Sequence, residues 1–446
     1  MGLFACLAMK GAETRVSLTL VPPSPVTEKV ILDVRAAVQH LETQEGLEFS
    51  FYMDREKPPA LLHEEHVVVA PGSPAGAHFR CQLRGLRGRH TLIAIAKTAS
   101  KKWHTEQPLE IISSPRRSPL TIDGAWVGIV HWSEKEGIRW NEELKKFTES
   151  DWRELLQSMH RLGMNLVVIQ EVFRNEEYQG RHEIALKGYQ GKAFYPSKLF
   201  PGRMPTAAKD PVDSIFAEAD ELGMHVLAGT GLYAWFDFSP NSLSWHKQVA
   251  SELWEQYGHH PSFYGWYVSE EAFGSLRPLV GDTELYRRGV VRFFREFRQH
   301  CRALAPDKVV MLAPNAHRVP EAVGAWRQVL PYIDILCPFG FHRMPEGDIS
   351  GEQAAHLLQQ LCSEAGAHLW LDLEAFTFQG GALTPRPIEG LISDLRRFPD
   401  FEKVLCYQYP GMFNAPEASR KPGGPATVKL FRDYQDYLGG LNRMPR

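Results

Sequence analysis

From about residue 14 to residue 115 the chain alternates short apolar runs with polar positions at a period near two. Candidate strands are RVSLTLV, KVILDVRAAV, LEFSFYM, HVVVA, HFRCQLRGL, HTLIAIAKT and LEIIS, with turn-forming PPSP, PGSPAG and RGLRG between several of them. Seven short strands in about a hundred residues predict an immunoglobulin- or fibronectin-like sandwich. The linker-like SSPRRSP at Ser113–Pro119 closes this part, and the expected domains are 1–115 and 116–446.

Beyond the linker the period changes. Apolar runs alternate with helical patterns eight times. The runs are Ala125–His131, Asn165–Gln170, His225–Ala228, Phe263–Ser269, Lys308–Ala313, Ile333–Pro338, His368–Leu373 and Lys403–Tyr409. Helices are expected near 149–162, 211–222, 243–257, 283–304, 320–330, 351–365, 388–398 and 426–438. Thr148 with Asp151 reads as an N-terminal capping box, Asp210-Pro211 as a cap and first-turn proline, and Gly163 and Gly223 as helix stops. The class is α/β, a (β/α)8 TIM barrel preceded by a small all-β domain.

In such a barrel the chemistry sits at the C-terminal strand ends. Alternation along FYGWYVSEE puts Tyr264, Trp266 and Val268 on the helix-covered face, and Phe263, Gly265, Tyr267, Ser269 and Glu271 on the inner one. HLWLDLE likewise turns His368, Trp370, Asp372 and Glu374 inward. The fourth and seventh strands oppose each other, so Glu271 and Glu374 are the candidate catalytic pair. One protonated and one ionised carboxyl flanking a bond is what glycoside hydrolysis needs; a gap near 5–5.5 Å gives retention and a wider one inversion. Candidate substrate-binding residues are Trp132, Gln170, Tyr233, Trp235, Glu270, Asn315, His342, Asp372, Tyr407, Gln408 and Tyr409. The aromatics offer flat apolar faces to sugar rings, and the amides hydrogen-bond hydroxyls.

These motifs resemble the clan of retaining glycosidases with an acid/base glutamate on strand 4 and a nucleophile on strand 7. More closely, HPSFYGWY at His260–Tyr267 followed by Glu270 and Glu271, with the LGMNLVVIQ and LGMHVLAG segments, resembles a largely uncharacterised glycosidase-like barrel family. The resemblance covers 120–440 and implies Glu271 as acid/base and Glu374 as nucleophile. The clan has Asn immediately before the strand-4 glutamate, whereas this chain has Glu270 there, so Glu270 stands as the alternative acid/base.

Composition narrows the partners. A chain of 446 residues with formal net charge -3 has no basic footprint for nucleic acid. No apolar run approaches the ~20 residues of a membrane span. MGLFACLAMK lacks a basic lead and a cleavage site, so the expected location is cytoplasmic, with export open if the true start lies upstream. Six cysteines without paired spacing read as buried free thiols, and no metal or other cofactor is expected. HEEH at His63–His66 matches no zincin spacing and reads as an exposed strand edge. Gly229–Ala234 matches GxGxxA but opens no helix, so it reads as an aromatic loop. Lys308 and Lys403 stand at strand starts, the wrong end for a Schiff-base lysine. Gly380-Gly381 and Gly423-Gly424 follow strands 7 and 8, where barrels can take phosphate. The partner expected is a carbohydrate, with oligomeric state open. Alternatives are a non-catalytic carbohydrate-binding barrel, a phosphate-dependent sugar enzyme, and an interaction protein with a filled barrel mouth.

Overall fold

The computed structural model describes residues 14–39, 45–175, 191–199, 202–231 and 236–441. They group into two compact units, one of residues through Pro115 with Gln299–Lys308, the other Arg116–Arg298 with Val309–Arg446.

In the first unit, Arg15–Val21, Ile31–Gln39 and Ala75–Gln82 form a three-stranded antiparallel sheet. Val26–Thr27, Lys102–Ile112, Gly88–Lys97, Glu45–Met53 and Leu61–Val69 form a five-stranded one, in that order. Alternate residues of both sheets, among them Leu18, Leu20, Leu32, Val34, Phe49, Phe51, Leu92 and Ala94, meet in one buried cluster. This is what a period of two delivers when one face of each strand is removed from water. His63–His66 lies within Leu61–Val69, the edge strand, which is exposed or half-buried along most of its length.

The second unit is a TIM-like barrel. Its parallel strands are β1 (Gly124–Val127), β2 (Leu166–Ile169), β3 (His225–Gly229), β4 (Phe263–Val268), β5 (Val309–Leu312), β6 (Ile335–Leu336), β7 (His368–Leu369 and Leu371–Glu374) and β8 (Val404–Tyr407). Hydrogen bonding runs from the first piece of β7 back through β6 to β1, then through β8 to the second piece of β7. Those end pieces adjoin at Trp370, so the ring closes on itself. The helices are α1 (Glu149–Arg161), α2 (Pro211–Leu222), α3 (Pro240–Tyr257), α4 (Thr283–Leu304), α5 (Val323–Val329), α6 (Gly351–Ala365), α7 (Ile388–Arg397) and α8 (Pro425–Leu441).

Their ends follow local chemistry. Thr148 and Asp151 form the reciprocal capping box of α1. Asp210 accepts the Asp213 amide at the start of α2, with Pro211 in its first turn, and left-handed Gly223 stops it. At the N-terminal end of the barrel, Lys403 Nζ lies 2.9 Å from Asp123 Oδ1 while Asp123 Oδ2 accepts the Val404 amide. This buried pair ties the starts of β1 and β8 together.

β4 departs from simple alternation. Its pairing with β3 steps from Val226↔Phe263 to Leu227↔Gly265, which makes Tyr264 an extra residue. As a result Phe263 packs outward, stacked on Phe216 of α2 and edge-on to Trp254 of α3. Tyr264 turns inward, beside His225 and stacked 6.4 Å from Trp370 across the barrel. The expected facings of these two residues are therefore exchanged, because a bulge shifts the phase of a strand. Beyond Gly265 the phase is the expected one: Trp266 donates its indole N–H to Ala250 O of α3, and Tyr267 faces in. Gly265 has no alternative, since a Cβ there would lie 2.2 Å from Val309 O.

Candidate active site

The C-terminal strand ends border an open cleft of about 720 Å³, part of it continuous with solvent. β4 sends Tyr267, Ser269 and Glu271 into it, and β7 sends Asp372 and Glu374. Trp126 and Trp132 come from β1 and its loop, Gln170 follows β2, and Tyr407 ends β8. Glu271 and Glu374 thus face one cavity from opposing strands.

Their surroundings drive the two carboxyls apart. Burial pushes Glu271 up to about 7. The Asn315 amide, 3.4 Å away, and the Arg343 charge oppose the rise, and the charges of Glu374 and Glu136 add to it. Glu374 is more deeply buried, yet its carboxyl is held below the usual range. The desolvation cost is outweighed by His342, whose Nδ1 lies 3.0 Å from Oε2, and by Arg343, whose Nε and guanidinium Nη2 lie 2.8 and 2.7 Å from Oε1. One carboxyl therefore keeps its proton near neutrality and the other does not. Asp372 is pushed well above its usual range by burial, with Glu374 adding to the shift.

The remaining candidates divide. Trp132, Gln170, Asp372 and Tyr407 line the cleft, Asn315 hydrogen-bonds Glu271, and His342 sits behind Glu374. Glu270 is fully buried and outside the lining, as alternation with Glu271 requires, and its charge acts on Tyr286. Gln408 is buried behind the lining, its Oε1 close to Gly128. Tyr409 is corrected: its hydroxyl lies 2.6 Å from Ser158 of α1 and its ring stacks on Phe413, away from the cleft. β8 ends at Tyr407, and Tyr409 N–H donates to Trp126 O of β1 at 2.9 Å, one residue out of step with the Leu405–Gly124 and Cys406–Ala125 pairing. Tyr233 and Trp235, and with them the second half of Gly229–Ala234, lie outside the described residues.

Several lining residues carry no strand-end signal. Glu136 comes from the loop after β1 and Arg343 from the loop after β6. Phe376, Phe378 and Leu383 come from an antiparallel hairpin, Phe376–Gln379 with Ala382–Pro385, that follows β7. Gly380 and Gly381, both at positive φ, form its turn, which replaces the phosphate-loop expectation for that pair. Alternating apolar residues around a Gly-Gly dipeptide are the signal that finds it. The hairpin is docked on the loop after β1 by Leu383 N–H donating to Glu136 O at 3.0 Å.

Among the described residues, no cluster of three His, Cys, Asp or Glu could hold a metal ion, and Cys81, Cys337, Cys362 and Cys406 are free thiols. No helix among them is long and apolar enough to cross a membrane.

No curated protein matches the chain. Among solved structures, a candidate alpha-L-fucosidase from Bacteroides thetaiotaomicron VPI-5482 is similar at 18% identity and TM-score 0.52, over 74% of this chain and 96% of that one. At this identity the likeness concerns the fold. A GH2 beta-galacturonidase from Eisenbergiella tayi, bound to galacturonate, aligns at 12% identity and TM-score 0.41 over 96% of this chain and 73% of its own. Bacteroides uniformis beta-glucuronidase 2 aligns at 11% and 0.40 over 90% of this chain, which spans 46% of that enzyme. Residues 122–420 match a family described as a domain of unknown function, DUF4434.

Proposed function

The chain belongs to the DUF4434 family, a domain of unknown function, and we propose that its barrel is a retaining glycoside hydrolase. The observation that carries this reading is the divergence of Glu271 and Glu374, which face one cleft from opposing strands. Glu374, ionised and aligned by His342 and Arg343, attacks the anomeric carbon. Glu271, still protonated near neutrality, gives its proton to the leaving oxygen as that bond breaks. The glycosyl ester on Glu374 is then cleaved by water, whose proton passes to the Glu271 carboxylate. Each residue returns to its starting state. The aromatic lining supplies sugar-stacking faces, with Tyr267, Tyr407 and Trp126 packed on one another. The two-sheet unit, read as an immunoglobulin-like sandwich ending near Pro115, serves as an accessory domain to the barrel.

The test is hydrolysis of a broad panel of aryl glycosides by the wild type, Glu271→Gln and Glu374→Gln, with folding checked by circular dichroism. The expected result is a loss of about 10²- to 10⁴-fold at Glu271→Gln, the range for general acid–base residues. Glu374→Gln is expected to abolish turnover. Proton NMR of the first-formed sugar is expected to show the substrate's anomeric configuration. Turnover that survives Glu374→Gln overturns the nucleophile. A first-formed anomer of opposite configuration makes Glu374 the base for a water molecule instead.

A further inference from the structure

The cleft contains a carboxylate that the hydrolytic pair does not use. Glu136 lines it from the loop after β1, with its side chain 22% exposed. The loop is fixed on both sides of the residue: Glu136 N–H donates to Ser133 Oγ at 3.2 Å, and Glu136 O accepts from Leu383 N–H. The carboxylate itself accepts no hydrogen bond from any described residue. His131 Nε2 lies 3.7 Å from its Oε2. That nitrogen is fully buried and has no hydrogen-bond partner. Burial holds His131 neutral, lowering it to about 3, so it provides no counter-charge.

The lining holds more acids than bases. It holds four carboxyls, Glu136, Glu271, Asp372 and Glu374, and one cation, Arg343. Arg343 is already committed to Glu374 through both of its close contacts. Burial pushes Glu136 up to about 7, and the charge of exposed Lys135, next in the chain, opposes the rise only in part; Lys135 lies against Gly381 and makes no hydrogen bond to Glu136. Asp372 presents a second vacant acceptor, since its buried Oδ1 has no hydrogen-bond partner. A desolvated carboxylate without a cation costs stability unless a ligand supplies one. Complementary charge is a principal source of binding specificity.

We propose that the cleft is built for a glycoside carrying a protonated amine, an amino sugar, whose ammonium is held by Glu136. Cation–π attraction from the aromatic lining adds to the same preference. The proposal rests on the glycosidase reading for the word glycoside, but the recognition it describes is a binding event and is tested as one.

The experiment is calorimetric titration at about pH 7.5, above the Glu136 value of about 7 and still within the range where an α-amino-type ammonium is largely protonated. Matched methyl glycosides in the gluco, galacto and manno series are used, each as the 2-amino, 2-hydroxy, 2-acetamido and uronic acid form. Proteins are the wild type, Glu136→Gln and Glu136→Asp. In at least one series the amine is expected to bind about tenfold or more tighter than its neutral counterpart, the effect of one hydrogen bond to a charged group. Glu136→Gln is expected to erase that preference and Glu136→Asp to keep part of it. Equal affinity for amine and hydroxyl forms, a preference for the uronic acid, a preference that survives Glu136→Gln, or no binding in any series overturns the proposal. Amine-selective binding without turnover would support this inference and refute the glycosidase reading. Turnover of neutral or uronic glycosides with no amine preference would do the reverse.

Discussion

Replacing Arg343 with methionine removes the cation from Glu374 and leaves an apolar stem of similar length. Arg343 places two nitrogens within 2.8 Å of Glu374 Oε1. A hydrogen bond to a charged group contributes about 1.5–3 kcal/mol. The guanidinium side chain is 44% exposed, so solvent screens the pair and the low end applies, ~1.5 kcal/mol for the two contacts together. At 1.36 kcal/mol per unit, that is a rise of about one unit in the Glu374 pKa. The sign for activity follows from the role. In the proposed mechanism Glu374 reacts only when ionised, so the acid limb of kcat/KM moves up by about one unit. Glu271 must be protonated, and the basic limb lies near its value of about 7. Arg343 also lowers Glu271, less strongly, so the basic limb rises by a smaller amount. The expected profile is a narrower bell displaced to higher pH. The assay is kcat/KM for the best aryl glycoside, measured from about pH 4 to about pH 9 so that both limbs of the bell are defined. An acid limb that stays in place or moves down refutes the assignment of Glu374 as the ionised partner.

Two further predictions concern the scaffold. Gly265→Ala forces a methyl group against Val309 O of β5, and overpacking of this kind costs about 1–3 kcal/mol; a thermal melt no lower than wild type would refute the tight β4–β5 approach. Lys403→Met strands the buried Asp123 carboxylate, and breaking such a pair costs about 3–5 kcal/mol. Asp123→Asn combined with Lys403→Met is expected to recover part of that loss in urea denaturation, whereas purely additive losses would show that the two residues do not act as a pair.

Helix boundaries were the most legible part of the chain because they rest on local chemistry. Asp210-Pro211 and Gly223 bracket α2 through their own backbone and side-chain preferences, whatever the helix packs against. Glu271 and Glu374 were legible because the phase of alternation near a strand's C-terminal end fixes which side chains face inward. The facings of Phe263 and Tyr264 were not, since the bulge between them is set by pairing with β3, a partner remote in the chain. Tyr409 was misplaced for a related reason: the apolar run continues past Tyr407, while the strand does not. Glu136 and Arg343 sit in loops without periodicity, and their convergence on the cleft depends on the closed ring. Arg343 nevertheless adjoins His342, which was singled out, and the Phe376 hairpin carried a turn signal in Gly380-Gly381.

The inward turn of Tyr264 has a consequence for traffic through the barrel. Stacked on Trp370 below the level of Tyr267 and Asp372, it stoppers the axis from the N-terminal side with two large rings. Among the described residues this leaves the cleft its opening at the C-terminal strand ends. Under the proposed hydrolysis the departing group must clear that opening before water or a second substrate takes its place, which would put release in the same queue as chemistry.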